Sequence, residues 1–307
     1  MREITLEELL EAGCHFGHQV TRQNPRAREF IYEARDNIHI IDLAKTKEGL
    51  EAAGAYVRDL SARGGSFVVV GTKRQAQNIV LEEIKRARSS LRSLGQAGSL
   101  EQIPRLYYVT NRWVGGILTN FSEVAKNYKK LKDLAARLKN DDEKAKYTKK
   151  EIGLWEKERA KLESFYGGVS TMEAIPDALF IVDTHFEHLA VQEGQKMGVT
   201  TVGVVDTNAD PSEVDYVIPA NDDAVGSLKL IIAYIMDAFI EGGKLLKQGE
   251  SHETREIAAK DTNEEELAKD TKEEIAKKEA ASKPDKKSVK NKTSAKKRAP
   301  RSAKSAA

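Results

Sequence analysis

The chain has 307 residues, of which 40% are hydrophobic and 32% charged, and its formal net charge is +2. It can hold one or two domains with a sizeable core. It contains no apolar run near the roughly 20 residues that cross a bilayer, so we expect no membrane partner. The single cysteine, Cys14, rules out an internal disulfide framework, and we expect a cytoplasmic protein.

The first predicted element is a helix near the start of the chain. Thr5 and Glu8 form a capping-box pattern ahead of Leu9 and Leu10. This pattern favours the start of a folded helix over a signal peptide.

Short apolar runs rich in valine and isoleucine occur at 38–41, 67–70, 106–109, 179–182, 201–205 and 216–218. Stretches with helical composition lie between most of them, at 43–63, 75–91, 186–197 and 223–240. Runs that are apolar on both faces and alternate with helices are typical of a parallel sheet covered on both sides. We therefore predict a three-layer α/β domain.

One interval, between the runs at 106–109 and 179–182, is too long for a single crossover helix. Apolar residues recur in it with alternating spacings of three and four, at Phe121, Val124, Tyr128, Leu131, Ala135 and Leu138. A return segment has a similar phase at Ile152, Trp155, Leu162 and Tyr166. We predict a helical coiled-coil hairpin at 121–166, inserted between two parts of the α/β domain, 1–120 and 167–243. Such a projecting arm suits docking to neighbouring proteins, whereas its charged outer face is also typical of a solvated surface.

Residues 244–307 are rich in charged and small residues, and we predict a disordered tail. From residue 283 it is basic, with ten lysines and arginines against Asp285. Residues 1–249 have a net charge of only −2. Binding of a polyanion by the folded part would therefore require local basic patches.

The stretch PRLYYVTNRWVGGILTNFS at 104–122 joins a predicted strand to Arg112, Trp113, two glycines and Asn120. A guanidinium pairs with phosphate, an indole stacks on exposed bases, and glycines allow close backbone approach. We predict an RNA contact here. The alternative is a core tryptophan beside a solvated arginine.

Several segments together resemble protein two of the small ribosomal subunit, in its bacterial form. They are GCHFGHQ (13–19), FVVVGTKRQAQ (67–77), NRWVGGILTNF (111–121), PDALFIVDTHFEHLAVQEGQKMG (176–198) and VVDTNADPSEVDYVIPANDDA (204–224). The resemblance covers roughly residues 4–242. It implies a flavodoxin-like fold and a structural, non-enzymatic protein that binds 16S rRNA near the junction of head and body. It also implies neighbouring small-subunit proteins as partners and a role in anchoring the large mRNA-binding protein one.

Thr72, Lys73 and Arg74 follow a predicted strand and precede a helix, a position where backbone amides bind phosphate. The turn lacks both the P-loop and the dinucleotide glycine patterns, so we favour an rRNA phosphate over a nucleotide. The rivals are a phosphate-binding α/β enzyme and a helix start without a partner.

A basic run near the start of the chain contains Arg22, Arg26 and Arg28. Because the resemblance is to a ribosomal family, we predict that this run forms a second rRNA surface. The alternative for this run is a solvated loop, and a free-standing nucleic-acid-binding module is a rival for the function of the whole chain.

Asp183 and Asp206 each follow a predicted strand, and His185 and His188 lie beside the first of them. If the strands are neighbours, the four side chains would converge as a zinc site. We favour the alternative, in which each aspartate caps a loop or helix and the protein needs no cofactor. Cys14, His15 and His18 are poorly spaced for a metal and favour a packed turn.

Overall fold

The structure is a computed structural model that describes residues 2–94 and 104–247. The strands are β1 (Phe16–Gln19), β2 (Ile31–Arg35), β3 (Ile38–Ile41), β4 (Ser66–Val70), β5 (Arg105–Val109), β6 (Ala178–Ile181), β7 (Thr200–Val205) and β8 (Tyr216–Pro219). The α-helices are α1 (Leu6–Glu11), α2 (Leu43–Ala62), α3 (Arg74–Leu94), α4 (Phe121–Lys139), α5 (Asp141–Lys144), α6 (Lys149–Tyr166), α7 (His188–Met197) and α8 (225–247). Short 3-10 helices occupy Val20–Arg22, Pro25–Phe30 and Pro211–Glu213.

Five strands form a parallel sheet in the order β5-β4-β6-β7-β8. β5, which follows β4 in the chain, is an edge strand and lies beside β4. The other side of β4 is occupied by β6, β7 and β8 in chain order. This is the flavodoxin-like order. The predicted parallel sheet is therefore confirmed.

Apolar side chains cover both faces of this sheet. Phe67, Val69 and Phe180 face a core that includes residues from α1, α2, α3 and α8. Their neighbours Val68 and Leu179 face a second core that α4, α6 and α7 complete. Each fully buried side chain of this size contributes about 1.5–3 kcal/mol. The strands form because both of their faces are removed from water, which confirms the three-layer prediction.

The run at 38–41 does not belong to the parallel sheet, so that part of the prediction was wrong. It is β3, the central strand of a separate antiparallel sheet in the order β1-β3-β2. Arg35 pairs with Ile38 across a two-residue turn, in which Asp36 and Asn37 have φ of 49° and 60°. Positive φ at both positions is the type I′ geometry that matches the twist of a hairpin. The local turn therefore determined the partner of this strand.

Helices α4 and α6 pack against each other in antiparallel fashion. The rings of Tyr128 and Tyr166 are 5.6 Å apart, and farther along the pair the guanidinium of Arg137 lies 5.8 Å from the ring of Trp155. The buried residues of α4 are Val124, Tyr128, Leu131 and Leu134. The predicted helices at 121–166 are therefore present, while the coiled-coil geometry and the domain boundaries stay predictions.

The two ends of the described fold are helical. At α1 the side chain of Thr5 accepts a hydrogen bond from the backbone N–H of Glu8 at 3.2 Å, as the capping pattern predicted. At the other end α8 continues to residue 247, beyond the predicted end at 240. The remainder of the predicted disordered tail, 248–307, lies outside the described residues. No helix in the described part of the chain is long and apolar enough to cross a membrane.

Candidate functional site

The segment between β5 and α4 is attached to a buried glutamate on α7. Glu193 is 4% exposed, and its Oε1 accepts the backbone N–H of Gly116 at 2.6 Å. Its Oε2 accepts the backbone N–H groups of Leu118 and Thr119, at 3.0 and 3.2 Å, and the Thr119 hydroxyl at 3.3 Å. A buried carboxylate needs such donors to offset its lost hydration. The loop conformation and the burial of Glu193 therefore stabilise each other.

The expectation that Trp113 offers an exposed indole for stacking on a base is corrected by the structure. Trp113 is 4% exposed, and its Nε1 donates to Glu193 Oε1 at 3.4 Å. The ring packs in the second core, because the loop turns inward directly after β5. Trp113 thus supports the loop from beneath.

Polar residues on both sides of the buried tryptophan are exposed. Arg112 is exposed and makes no ion pair with any residue that the structure describes. Asn120 is also exposed, and although it precedes α4 its side chain makes no capping hydrogen bond. Asn111 Nδ2 donates to the backbone oxygen of Ser164 at 2.8 Å, which ties the loop to α6. A guanidinium and an amide are therefore presented to solvent on an anchored loop.

The turn after β4 differs from the predicted phosphate site. Thr72 is buried, and its backbone N–H donates to Glu187 Oε1 at 3.0 Å. That amide is already occupied by a carboxylate. Burial raises the pKa of Glu187, with hydrogen bonding to Thr72 acting in the opposite direction. Of the three predicted residues, only Arg74 at the start of α3 is exposed.

Lys73 forms ion pairs with acidic side chains and is not free to bind phosphate. This corrects the expectation that Lys73 contacts an rRNA phosphate. Its Nζ lies 2.6 Å from Asp223 Oδ1, 2.8 Å from Asp222 Oδ1 and 3.0 Å from Asp183 Oδ2. Burial acts to lower the pKa of Lys73, but the carboxylates outweigh it and raise the pKa overall. The ammonium stays charged and offsets part of the negative charge of this cluster.

The carboxylates around Lys73 come from the carboxyl ends of three neighbouring strands. Asp183 follows β6, Asp206 follows β7, and Asp222 and Asp223 follow β8. The backbone N–H of Asp222 donates to Asp206 Oδ2 at 3.4 Å. Burial, together with the charges of Asp183 and Asp206, raises the pKa of Asp222 to about 7. The strand order thus brings Asp183 and Asp206 to one site, around Asp222.

The predicted zinc quartet does not assemble in this structure. His185 precedes α7 and His188 is its first residue, and both are exposed. Within the described ranges, the acidic and histidine side chains whose ligand atoms lie within 4.8 Å of one another are His18, Asp222 and Asp223. Asp183 instead accepts the backbone N–H of Phe186 at 2.8 Å, as in the capping alternative.

The basic run lies beside the small antiparallel sheet. Arg26 NH1 contacts Asp210 Oδ2 at 2.7 Å and the Ser212 hydroxyl at 2.9 Å, so its charge is partly neutralised. Arg22 and Arg28 are exposed and make no ion pair within the part of the chain that the structure covers. These two guanidiniums are the available cations of the run.

A comparison with known proteins identifies the family of the chain. A family model described as Ribosomal protein S2 matches residues 9–92 and 99–242. The chain belongs to this family. Ribosomal protein S2 is a structural, non-enzymatic component of the small ribosomal subunit, so the family removes the phosphate-binding enzyme as a rival. Membership also implies association with rRNA and with ribosomal proteins.

Sequence reasoning missed the acids that organise this ribosomal protein S2 domain. Glu193 shares the buried face of α7 with Ala190, Val191 and Gly194. An acid within the apolar stripe of a helix was the available signal, because such a group must find donors inside the protein. The adjacent pair Asp222–Asp223 carried no comparable local signal.

Proposed function

We propose that the chain binds 16S rRNA through arginines at the carboxyl edge of its parallel sheet. Arg74 and Arg112 follow β4 and β5, which pair in parallel register, so both lie at that edge. Arg22 lines a cavity together with Asp206 and Asp223, which follow β7 and β8. The proposal is supported chiefly by this shared position of exposed guanidiniums.

Arg28 and Asn120 extend the same surface. Arg28 and Arg26 line a hollow of about 650 Å³ beside the 3-10 helix after β7. Guanidiniums bind phosphate oxygens in a forked geometry, and an amide both donates and accepts hydrogen bonds. The backbone of rRNA is therefore the ligand that this set of side chains fits best. Thr72, Lys73 and Trp113 would position the loops from within.

The anchoring of the loops favours a shape-specific contact over a general attraction to polyanions. The segment that presents Arg112 is held by the hydrogen bonds to Glu193 and by the Asn111–Ser164 contact. Fixed cations select RNA whose phosphates match their spacing, whereas mobile cations do not. We infer that the folded part provides selectivity for the cognate rRNA.

A second part of the proposal concerns protein partners. The paired helices α4 and α6 would act as a coiled-coil arm that docks on neighbouring small-subunit proteins in the cytoplasmic ribosome. Exposed apolar side chains on this arm, Tyr147 and Leu154, support a contact with protein. The family resemblance adds protein one as a partner that the bound chain would help to anchor. Comigration of protein one with subunits that contain or lack the chain tests this part.

The test of the rRNA proposal compares arginines at the carboxyl ends of two strands with arginines at the amino ends of the same strands. Arg74→Ala combined with Arg112→Ala should weaken binding of the full-length protein to 16S rRNA. Each lost phosphate contact lowers the slope of log affinity against log salt by about 0.7–0.9, so the double variant should lose about 1.5. The matched control combines Arg63→Ala with Arg105→Ala, two exposed arginines close to the amino ends of β4 and β5. Equal losses in both double variants would refute the proposed surface.

A further inference from the structure

Phe186 presents an aromatic ring to solvent at the carboxyl edge of the parallel sheet. It lies between β6 and α7, and with 60% of its surface exposed it is the most exposed of the eight phenylalanines, all of which the structure describes. Phenylalanine is among the residue types that are most often buried. Leu189, in the first turn of α7, is 39% exposed. The two side chains form an apolar patch that the described part of the chain leaves open to solvent.

The backbone that carries Phe186 is fixed by hydrogen bonds on both sides of the ring. The N–H of Phe186 donates to Asp183 Oδ1 at 2.8 Å. The side chain of the next residue, Glu187, accepts the backbone N–H of Thr72 at 3.0 Å, only two residues before the exposed Arg74. The ring is therefore presented in a defined position beside the turn after β4.

The same segment also lies against the loop that carries Arg112. A β-carbon at Gly115, three residues after Arg112, would lie 3.5 Å from Leu189 Cδ2. The strands β5, β4 and β6 are adjacent in the sheet, where neighbouring strands are roughly 4.8 Å apart. Arg112, Arg74 and the ring of Phe186 therefore follow three neighbouring strands at one edge of the sheet.

The charges around the ring favour a polyanion as its partner. His185 and His188, which lie on either side of Phe186 in the sequence, are both exposed. The acids between 182 and 198 are buried and accept backbone N–H groups, and they are Asp183, Glu187 and Glu193. This part of the chain therefore adds no exposed carboxylate that would repel phosphate, while the adjacent turns contribute two guanidiniums.

An unpaired RNA base fits this combination of side chains better than a protein surface does. In single-stranded regions of RNA, bases stack on aromatic side chains and the phosphates pair with arginines. A protein interface usually buries about 800 Å² on each partner around an apolar centre. Two apolar side chains among arginines and histidines supply much less apolar surface than that.

We propose that Phe186 stacks on an unpaired base of 16S rRNA, while Arg74 and Arg112 contact the phosphates beside that base. This inference rests on the rRNA-binding function proposed above and adds the class of nucleotide that the edge of the sheet recognises. Trp113 is turned into the core, so the ring that stacks follows a different strand. The contact favours single-stranded over duplex RNA at this position.

The proposal is tested by binding of the full-length protein to 16S rRNA over a range of salt concentrations. Phe186→Leu keeps an apolar side chain but removes the ring, and it should weaken binding at least about fivefold. The slope of log affinity against log salt should stay unchanged, because the lost side chain is uncharged. Phe186→Tyr keeps the ring and should bind as tightly as the unmodified protein. The matched control is Met197→Ala, which removes an exposed apolar side chain at the other end of α7 and should leave binding unchanged.

Two further measurements accompany the binding curves. Thermal unfolding should give the same melting temperature for Phe186→Leu and the unmodified protein, because the ring is mostly exposed. Chemical probing of 16S rRNA saturated with protein should show an unpaired base that the unmodified protein protects and that becomes reactive again with Phe186→Leu. Reactivity that is identical for the two proteins, or that differs only at paired bases, would overturn the proposal.

The binding experiment separates failure of this inference from failure of the proposed rRNA surface. If Phe186→Leu binds normally while Arg74→Ala with Arg112→Ala loses affinity and salt slope, the ring makes no RNA contact and only the inference fails. If the arginine pair behaves like its control, the surface is refuted and the inference fails with it. Normal rRNA binding by Phe186→Leu together with poor incorporation into small subunits would place a neighbouring protein on the ring and would also overturn the proposal.

Discussion

Glu193 on α7 accepts the backbone N–H of Gly116 at 2.6 Å, across 77 residues of sequence. Gly116 has φ of 95°, a conformation that residues with a side chain rarely adopt. The same carboxylate holds Leu118 and Thr119, so one buried acid fixes the course of the loop between β5 and α4. The exposed Arg112 of that loop depends on it for its position.

Replacing this acid should damage both the fold and the rRNA contact. Glu193→Gln exchanges one acceptor oxygen for an NH₂ group that faces backbone donors, so we expect a loss of about 2–3 kcal/mol in the free energy of unfolding. Urea denaturation measures this loss, and incorporation into small subunits should fall with it. Glu156→Gln, a change at an exposed acid on α6, is the control and should alter neither quantity. An unchanged unfolding midpoint for Glu193→Gln would show that the network contributes little.

Trp113 should matter for stability and not for stacking on RNA. Trp113→Phe keeps an apolar ring in the core but removes the N–H group that donates to Glu193, and we expect a cost of about 1–2 kcal/mol. Trp113→Ala should cost about 3–5 kcal/mol because it leaves a cavity. Below its melting temperature, Trp113→Phe should bind 16S rRNA as tightly as the unmodified protein. A clear loss of affinity in that folded variant would restore a direct role for the indole.

Lys73 should behave as a structural cation. Lys73→Ala leaves several buried carboxylates uncompensated, and we expect it to lower the free energy of unfolding by about 3 kcal/mol. The adjacent Arg74→Ala removes an exposed cation and should cost less than about 0.5 kcal/mol. Thermal or urea unfolding of the two variants checks the difference. Similar small costs for both would mean that the cluster around Lys73 does not stabilise the fold.

The carboxylate of Asp177 should make stability depend on pH in the acidic range. Partial burial acts to raise its pKa, but hydrogen bonds from the hydroxyl and backbone N–H of Ser66, both at 2.7 Å, outweigh it and lower the pKa. A lowered pKa in the folded state stabilises the protein above the ordinary carboxyl value, and this contribution is lost as pH falls through the folded pKa. Because Asp177 is exposed, Asp177→Asn should cost only about 1 kcal/mol at pH 7. The difference from the unmodified protein should shrink below about pH 4, and a pH-independent difference would contradict the prediction.

The basic segment 283–307 should add affinity for RNA without selectivity. Its ten cations would attract RNA through release of counterions, an effect that is independent of sequence and weakens steeply with salt. Deleting this segment should therefore flatten the salt dependence of rRNA binding, while the preference for cognate over unrelated RNA persists. Binding isotherms on both RNAs over a range of salt concentrations measure the two effects. A loss of selectivity on deletion would place specific contacts in the tail.

The order of apolar runs and helices was enough to predict the layered α/β architecture. Strands at 67–70 and 179–182 are apolar throughout because helices cover both faces of the sheet. Side chains on both faces must therefore be apolar, and the sequence shows this as an unbroken apolar run. The run at 38–41 looked the same but belongs to a hairpin. A run of four apolar residues does not specify the strand with which it pairs. Here the turn at Asp36 and Asn37 determines the pairing with β2.

The side chains of the candidate site show more clearly which features the sequence predicts and which depend on the tertiary structure. Local sequence marked Arg112 and Arg22 as candidate cations, because charge is a property of the residue itself. It did not show that Trp113 turns inward, that Lys73 is held by three carboxylates, or that His18 contacts Asp206 from 188 residues away. Those relations depend on strand order, which places the ends of distant segments at one edge of the sheet. Only the tertiary structure determines which buried charges become neighbours, since their pairing lowers the free energy only after the sheet has formed.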